Sequence, residues 1–128
     1  GAAVALEDRH VVSVSGDGGF LMTSQELATA ARYRLKVIAI VHNDSTYGAI
    51  KNIQRRDFES RYVDVELNNP DFVALGAAYG VPSSRARTPG ELRGAVKNAL
   101  ANDGPSLIEV PDDWRLLRDV VTPREEAR

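Results

Sequence analysis

The sequence predicts an α/β domain built on an open parallel sheet with helices on both faces. Short apolar runs rich in β-branched residues alternate along the chain with segments whose apolar residues recur at helical spacing. Glycine, proline and helix-capping residues separate these segments, as the ends of strands and helices require. Strands that alternate with amphipathic helices indicate parallel pairing, because the crossover between two parallel strands usually contains a helix.

The first half of the chain predicts two strands, each followed by a helix. Residues 11–15 form a β-branched run that ends at a glycine, which predicts a buried strand. Thr-Ser-Gln-Glu at 23–26 predicts a capping box, and apolar residues continue at helical spacing behind it. Residues 37–41 predict a second buried strand. We expect a further helix from about Tyr47, fading into the charged stretch 55–61.

The second half repeats this alternation, with clearer signals for where the helices begin and end. Asn69 predicts an N-cap with Pro70 at the first helical position, and Gly80 predicts the end of that helix. Thr-Pro-Gly-Glu at 88–91 predicts another capping box, followed by a helix with a regular apolar stripe. Residues 106–110 predict the final strand.

The composition sets limits on function. The 128-residue chain is 43% hydrophobic and 27% charged, with a formal net charge of −2. These values are typical of a soluble globular protein, and they predict neither a nucleic-acid partner nor a membrane surface. The chain contains no cysteine, which excludes disulfides and thiolate chemistry. We expect one domain over residues 1–111, a polar C-terminal tail over 112–128 and a cytoplasmic location.

Two polar segments follow the first two predicted strands. One is Ser-Gly-Asp-Gly-Gly at 15–19, and the other is His-Asn-Asp-Ser-Thr-Tyr-Gly at 42–48. Ligands of open α/β sheets bind beyond the carboxyl ends of the strands. Because a single-helix crossover is right-handed, both segments should emerge at the same edge of the sheet. Asp17 and Asp44 are therefore expected to lie close together, although they are far apart in sequence.

The residue types of the two segments indicate a particular ligand. Gly16, Gly18 and Gly19 would let a large polar group approach the main chain, and the N-terminus of the following helix favours an anion. This combination suits a phosphate, but carboxylates would repel a bare phosphate. Mg²⁺ resolves the conflict, because it takes oxygen ligands and commonly bridges carboxylates to phosphates. The residues thus predict a magnesium–diphosphate site divided between Asp17 and Asp44.

The same residues resemble a known family. Gly-Asp-Gly at 16–18, Glu-Leu-Ala-Thr-Ala at 26–30 and Asn-Asp-Ser-Thr-Tyr-Gly at 43–48 resemble the thiamine diphosphate (ThDP) motif of the acetolactate synthase and benzoylformate decarboxylase group. The resemblance extends from Gly1 to about residue 111. It implies a ThDP-binding fold and a 2-oxo acid decarboxylase or carboligase similar to acetolactate synthase.

The resemblance also implies roles for individual residues. The metal ligands would be the side chains of Asp17 and Asp44 and the main-chain oxygen of Thr46. The diphosphate and thiazolium would be lined by the remaining motif residues: Gly16, Gly18, Gly19, Tyr47, Gly48 and Ala49. Many relatives have Asn at the position of Asp44, so this site carries an additional negative charge. No residue of the chain is implied as catalytic.

A partner domain follows from the same resemblance. In the family, a glutamate that activates the aminopyrimidine of ThDP comes from a separate pyrimidine-binding domain, usually on a neighbouring subunit of an oligomer. No residue here matches that glutamate. We therefore expect the chain to be the C-terminal portion of the diphosphate-binding domain, and to be inactive alone. Residues 49–54 contain no Trp, unlike the corresponding turns of biosynthetic acetolactate synthases, so the 2-oxo acid stays unassigned.

Other interpretations of these residues are weaker. A dinucleotide-binding domain would need a third glycine at the position of Leu21. A receiver-type signalling domain is the alternative from another class, but it would need two acidic residues after the first strand and a lysine after a later one. Asn43 could serve only to shape its loop as an Asx turn. The arginines of the stretch 55–61 are expected to form a solvated face rather than the rim of an anion pocket.

Overall fold

The structure is a computed structural model that describes residues 1–6 and 8–111. Over these residues, the helices and strands occur in the following order: α1 (Ala2–Ala5), β1 (Val11–Gly16), α2 (Asp17–Leu21), α3 (Glu26–Arg32), β2 (Val37–Asn43), α4 (Gly48–Asp57), α5 (Phe72–Ala78), β3 (Ser83–Arg85), α6 (Pro89–Leu100) and β4 (Ser106–Pro111). The predicted tail, 112–128, lies outside the described residues. Nowhere in 1–6 or 8–111 is there a helix both long enough and apolar enough to cross a membrane.

The strands form one sheet in the order β1-β2-β4-β3, and every pair is parallel. β2 and β4 occupy the centre, and their apolar runs are buried, as parallel sheets covered on both faces require. The predicted fold class is confirmed. β1 and β2 are neighbours in register, so the two polar segments that follow them leave the sheet side by side.

The core consists of two layers, one on each face of the sheet. On one face, residues from α2, α3, α5 and the segment after α5 pack with alternate residues of the central strands: Phe20, Leu27, Ala39, Val41, Phe72, Val81 and Leu107. On the other face, Ala99 of α6 packs with Ile38 of β2, Ile108 of β4 and Ala86, which follows β3. The phenylalanines from α2 and α5 meet edge to face, with ring centroids 5.7 Å apart. This contact supports the turn that follows β1.

The prediction that β1 is buried is wrong. Val12 and Val14 are 51% and 71% exposed. They pair in register with Ile38 and Ile40, on the face that α6 covers, but α6 packs on β2, β3 and β4. β1 lies at the edge of the described sheet, so its outward face is left open. The β-branched run predicted the strand correctly, but it carries no information about which helix covers it.

The first predicted capping box does not form. α3 begins at Glu26, and Gln25 precedes it with helical backbone angles (φ −61°, ψ −20°) and no capping side chain. Thr23 already lies within a continuous series of turns, because its amide donates to the Phe20 carbonyl and its own carbonyl accepts from Glu26. A capping side chain needs an extended residue at the helix start, and the short helix α2 removes that possibility.

The second capping box is confirmed, with one difference. Thr88 Oγ1 accepts from the Glu91 amide at 3.2 Å, and Pro89 opens α6. The Glu91 carboxylate, however, accepts from the amide of Arg87 at 2.7 Å rather than from that of Thr88. The reciprocal bond therefore reaches one residue further back than the motif predicts.

The predicted N-cap at Asn69 is also wrong. α5 is capped by Asp71, whose Oδ1 accepts from the amides of Val73 and Ala74 at 2.9 and 3.0 Å. Gly80 ends this helix as predicted, with φ +72°. The side chain of Asn69 is directed elsewhere, as described below.

No pattern in the sequence predicts β3. Ser83–Arg85 is only three residues long and has no apolar alternation, so no period could reveal it. Its pairing with β4 places Arg85 opposite Glu109, a juxtaposition that matters for the site.

Candidate functional site

The carboxyl edge of the sheet brings the two polar segments together, as predicted. Gly16 at the end of β1 lies opposite His42 near the end of β2. Asp17 and Asn43 are the next residues along these strands, and Asp44 follows directly. The edge thus presents a glycine-flanked carboxylate beside a loop that contains a second one.

Asp17 is the most deeply buried ionisable residue of this edge, at 2% exposure. Its Oδ1 accepts from the amide of Gly18 at 2.8 Å, and its Oδ2 accepts from Nδ2 of Asn69 at 2.6 Å. A buried carboxylate is tolerated when donors satisfy it, and here one donor is local and one comes from the segment before α5. The orientation of this carboxylate therefore depends on a distant part of the chain.

Asn43 belongs to the same network. Its Oδ1 accepts from the Ser45 amide at 3.2 Å, which is the predicted Asx turn, and also from Asn69 Nδ2 at 2.9 Å. Its Nδ2 donates to Oε1 of Glu109 at 2.8 Å, and Glu109 is only 3% exposed. Because the nitrogen of this amide has a fixed acceptor and its oxygen has fixed donors, the orientation of the Asn43 amide is determined.

A cation balances Glu109. Arg85 Nε donates to Glu109 Oε2 at 2.7 Å, and a terminal nitrogen of Arg85 lies 3.1 Å from Oδ1 of Asp71, the cap of α5. The hydrogen bond to Glu109, followed by that to Asp71, raises the pKa of Arg85 above its ordinary value. Sequence reasoning missed Asn69, Glu109 and Arg85, since their roles depend on β3 and on the true cap of α5.

The Asp44 loop is shaped mainly by its own neighbours. Asp44 Oδ1 accepts from both the amide and the hydroxyl of Thr46, each at 3.0 Å. Ser45 between them has φ +56°, a left-handed conformation that these short side-chain bonds help to hold. Thr46 is 6% exposed and pairs with Glu66 in an antiparallel bridge. The loop is therefore rigidly formed by local bonds and one bridge.

The glycines at this edge differ in what surrounds them. A Cβ on Gly18 would lie 2.5 Å from Cε1 of Tyr47, so close packing requires glycine there. A Cβ on Gly48 would lie 3.1 Å from Oδ2 of Asp44. Gly16 and Gly19, in contrast, have no atom within 4 Å of such a Cβ among the described residues. Open main chain at those two positions fits a bulky ligand that approaches the backbone.

The donor set fits a hard cation with few protein ligands. Within the described part of the chain, no three or more His, Asp or Glu side chains form a group that could hold a metal by themselves. A metal here would take the carboxylates of Asp17 and Asp44 and main-chain oxygen, and would complete its shell with ligand oxygens. Mg²⁺ is commonly held in this way, by one or two carboxylates together with phosphates.

A cavity of about 460 Å³ adjoins the Asp44 loop. It is lined by the loop and by charged and polar residues of α4 and the segment after it: Asp44, Thr46, Gly48, Lys51, Asn52, Arg55, Tyr62 and Glu66. Lys51 is paired with Glu66 at 2.8 Å. Arg55 thus rims a cavity beside the site, while Arg56 pairs with Asp57 at an exposed position, as a solvated face requires. The prediction of a solvated face fits Arg56, whereas Arg55 also lines the cavity.

Comparison with known proteins identifies the family. Residues 1–110 match the family described as "Thiamine pyrophosphate enzyme, C-terminal TPP binding domain", where thiamine pyrophosphate is another name for ThDP. The chain is 38% identical over 114 residues to a probable acetolactate synthase large subunit from Methanocaldococcus jannaschii, covering 88% of this chain and 19% of that protein. It is 36% identical to the acetolactate synthase of Bacillus subtilis, covering 89% of this chain and 20% of the relative.

A solved structure shows the same architecture. The chain superposes on a Rhodococcus jostii RHA1 thiamine diphosphate-dependent 4-hydroxybenzoylformate decarboxylase with a TM-score of 0.81 and 34% identity, covering 86% of this chain and 21% of that one. The chain thus spans about a fifth of the length of the relatives it matches. None of these relatives supports the receiver-type alternative. The chain belongs to the family of C-terminal thiamine pyrophosphate-binding domains of thiamine pyrophosphate enzymes, and it is related to acetolactate synthases and decarboxylases.

Proposed function

We propose that this chain binds Mg²⁺ and the diphosphate of ThDP as one part of a 2-oxo acid decarboxylase or carboligase similar to acetolactate synthase. The observation that carries the proposal is the buried Asp17 carboxylate, which lies at the same sheet edge as the Asp44 loop in a chain of this family. The diphosphate-binding portion would extend over residues 1–111, with 112–128 as a C-terminal tail.

Three residues would hold the metal. Asp17 and Asp44 would each supply a carboxylate oxygen, and Thr46 would supply its main-chain oxygen. Oδ1 of Asp44 already accepts two bonds from Thr46, so Oδ2 is the oxygen better placed to serve a metal. Two carboxylates bring the charge of the metal to zero before the diphosphate binds, so main-chain donors must stabilise the remaining negative charge.

The other motif residues would receive the cofactor itself. Gly16 and Gly19 leave open space beside the main chain, which suits the close approach of a diphosphate. Gly18 and Tyr47 pack against each other and join the two loops. Gly48 and Ala49, at the start of α4, would lie along the thiazolium.

When bound, ThDP supplies a nucleophilic carbon that can add to the keto carbon of a 2-oxo acid, which allows CO₂ to be released. The contribution of this chain is to bind and orient the diphosphate end. The group that activates the aminopyrimidine would come from a pyrimidine-binding domain, in a full enzyme that we propose to be a homo-oligomer. The identity of the 2-oxo acid would be decided largely by residues of that larger assembly.

The binding proposal is tested by NMR titration of the ¹⁵N-labelled chain with ThDP and Mg²⁺, separately and together. We expect the amides of Gly18 and Thr46 to shift strongly only when both are present, because metal and diphosphate complete each other's ligand set. Equal shifts with Mg²⁺ alone would favour a metal-binding module of the receiver type. No shift at either amide with both present would refute the proposed site.

An activity measurement tests the proposal that this chain binds the diphosphate while another domain activates the aminopyrimidine. The chain saturated with ThDP and Mg²⁺ should exchange the C2 proton of ThDP no faster than free ThDP, and should release no CO₂ from pyruvate or benzoylformate. Faster exchange would mean that an activating group lies within these 128 residues. Activity regained on adding a separately expressed pyrimidine-binding domain would support the proposal.

A further inference from the structure

Asn69 connects the two halves of the site. It lies in the segment before α5, where its Nδ2 donates to Oδ2 of Asp17 at 2.6 Å and to Oδ1 of Asn43 at 2.9 Å. Asp17 follows β1 and Asn43 ends β2, so a single amide group bridges the residues at the ends of both strands. The bond to Asp17 joins residues that lie 52 positions apart in the sequence.

The chemistry of this contact requires an amide. A side-chain NH₂ group has two hydrogens, and each of them meets an acceptor here. The Oδ1 of Asn69 is buried without a hydrogen-bond partner among the described residues. A buried acceptor without a partner costs stability, so this orientation does not satisfy all the hydrogen-bonding groups of Asn69. Its orientation serves the two acceptors, Asp17 and Asn43.

The bridge rests on a fixed support. Asn43 cannot turn its amide, because its Nδ2 is held by Glu109 while its Oδ1 also accepts from Ser45. Glu109 is in turn held by Arg85 at 2.7 Å. The nitrogen of Asn69 is therefore positioned against an anchored oxygen on one side, and it presents its second hydrogen to Asp17 in a defined direction.

We propose that Asn69 is a positioning residue for the metal site: it directs the Asp17 carboxylate and fixes it relative to the Asp44 loop. The inference rests on the proposed function, because it assigns Asp17 as a metal ligand. Residues that hydrogen-bond to metal ligands orient them, and replacing such residues typically lowers metal affinity 10- to 100-fold. Asn69 binds neither metal nor cofactor in this proposal and acts only through Asp17.

The first test is Asn69→Ala, with Asn68→Ala as the matched control at the neighbouring exposed asparagine. The apparent Kd for Mg²⁺ at fixed ThDP is measured from amide shifts of the folded chain, and the midpoint of unfolding is measured without ligands. We expect the Mg²⁺ affinity to fall about 10-fold or more for Asn69→Ala and to stay unchanged for Asn68→Ala. Unchanged affinity with a lowered unfolding midpoint would mean a purely structural role and would overturn the inference.

The second test separates position from charge. Asn69→Asp keeps the size of the side chain but replaces both N–H donors with acceptors, while Asn68→Asp adds the same charge next to it. A negative charge alone attracts Mg²⁺, so an effect of charge would tighten binding in both variants. Loss of positioning would weaken binding in Asn69→Asp only. Binding that is equal or tighter in Asn69→Asp would overturn the inference.

A third measurement needs no variant and therefore does not depend on how well one folds. In the wild-type chain, the side-chain NH₂ signals of Asn69 should shift when Mg²⁺ and ThDP are added together, while those of Asn68 stay in place. Binding that leaves the Asn69 signals unmoved would contradict the inference alone. Absence of any binding by the wild-type chain would contradict the proposed site and the inference together.

Discussion

The two loops at the carboxyl edge of the sheet are built in different ways. Asp44 is held by its near neighbour Thr46, in a loop that a bridge between Thr46 and Glu66 also supports. Asp17 is held by Asn69, which lies 52 residues further along the chain. The side chain of one carboxylate is therefore oriented by a residue two positions away, and that of the other by a residue far away in the sequence.

This contrast extends to the glycines. Gly18 is needed for a contact inside the protein, since Tyr47 occupies the space that a side chain would fill. Gly19 lies beside open space, so the fold itself gives no reason for glycine there. Within one short motif, one glycine serves the packing of the domain, and the other is a glycine that we propose to serve the ligand.

The largest effect is expected for Asp17→Ala. Because Asp17 is buried and would supply one of the two carboxylates of the proposed metal site, we expect Mg²⁺-dependent ThDP affinity to fall by about 100-fold or more. Asp8→Ala, at an exposed turn, is the control. Calorimetry that gave equal ThDP affinity in the wild type and Asp17→Ala would show that the site is wrongly assigned.

Asp44 should respond to the type of substitution. Asp44→Ala removes two hydrogen bonds to Thr46 as well as a metal oxygen, so we expect ThDP affinity to fall strongly and stability to fall by about 1–2 kcal/mol. Asp44→Asn keeps one side-chain oxygen, which remains a hard ligand for Mg²⁺ when it faces the metal, so ThDP binding should be tolerated even though the bonds from Thr46 are then lost. Equal losses of ThDP affinity in the two variants, measured by titration, would mean that the charge of Asp44 is required.

Alanine substitutions at Gly18 and Gly19 should affect different properties, the first the stability of the fold and the second the binding of ThDP. In Gly18→Ala, the new methyl group meets the Tyr47 ring, and we expect a loss of about 1–3 kcal/mol in unfolding free energy. Gly19→Ala meets no described atom and should leave the unfolding free energy equal or slightly higher. It should nevertheless weaken ThDP binding, because the methyl group faces the approaching diphosphate. Normal ThDP affinity in Gly19→Ala would remove Gly19 from the proposed site.

The sequence was sufficient for the features that depend on local chemistry. The β-branched runs predicted β1, β2 and β4, and Gly80 and Thr88 predicted a helix end and a helix start. The Asx turn at Asn43 was also foreseen, because it needs only the residue two positions on. The pairing of the two motifs at one sheet edge followed from the handedness of the crossover.

Two of the features that failed depend on distant partners. Asn69 is a residue type common at N-caps. The cap of α5 is nevertheless Asp71, which lies two residues further on and also pairs with Arg85. Asn69 is then left free to bridge Asp17 and Asn43. The burial of β1 likewise depends on the helix that covers it, which a strand sequence does not specify.

A smaller effect should distinguish Arg55 from Arg56. Arg55 lines the cavity beside Asp44, while Arg56 is exposed and paired with Asp57. We expect Arg55→Ser to weaken the binding of anionic ThDP by no more than about fivefold, with the effect disappearing at high salt. Arg56→Ser should change nothing. If the parent enzyme instead showed a large rise in KM for a 2-oxo acid with kcat unchanged, Arg55 would belong to substrate binding.

The smallest effect concerns Asp71, at the outer end of the contacts that support Asn43. The Ala74 amide, followed by Arg85, lowers the pKa of Asp71 below its ordinary value of about 3.9. A carboxylate with a lowered pKa stabilises the fold fully above that ordinary value, and this contribution is lost as the pH falls through the pKa of the folded state. Asp71→Ser keeps a capping oxygen but cannot titrate, so it should remove this part of the acid sensitivity.

The measurement is the unfolding midpoint between pH 6 and pH 2 for the wild type and Asp71→Ser. The wild type should lose its advantage only below about pH 4, and the difference should amount to no more than a few degrees because Asp71 is exposed. Asp57, whose pKa is lowered by its hydrogen bond to Arg56, titrates in both proteins and cancels from the difference. If the midpoints differed by the same amount at every pH, the charge of Asp71 would contribute nothing to stability, neither through the cap at Ala74 nor through the pairing with Arg85.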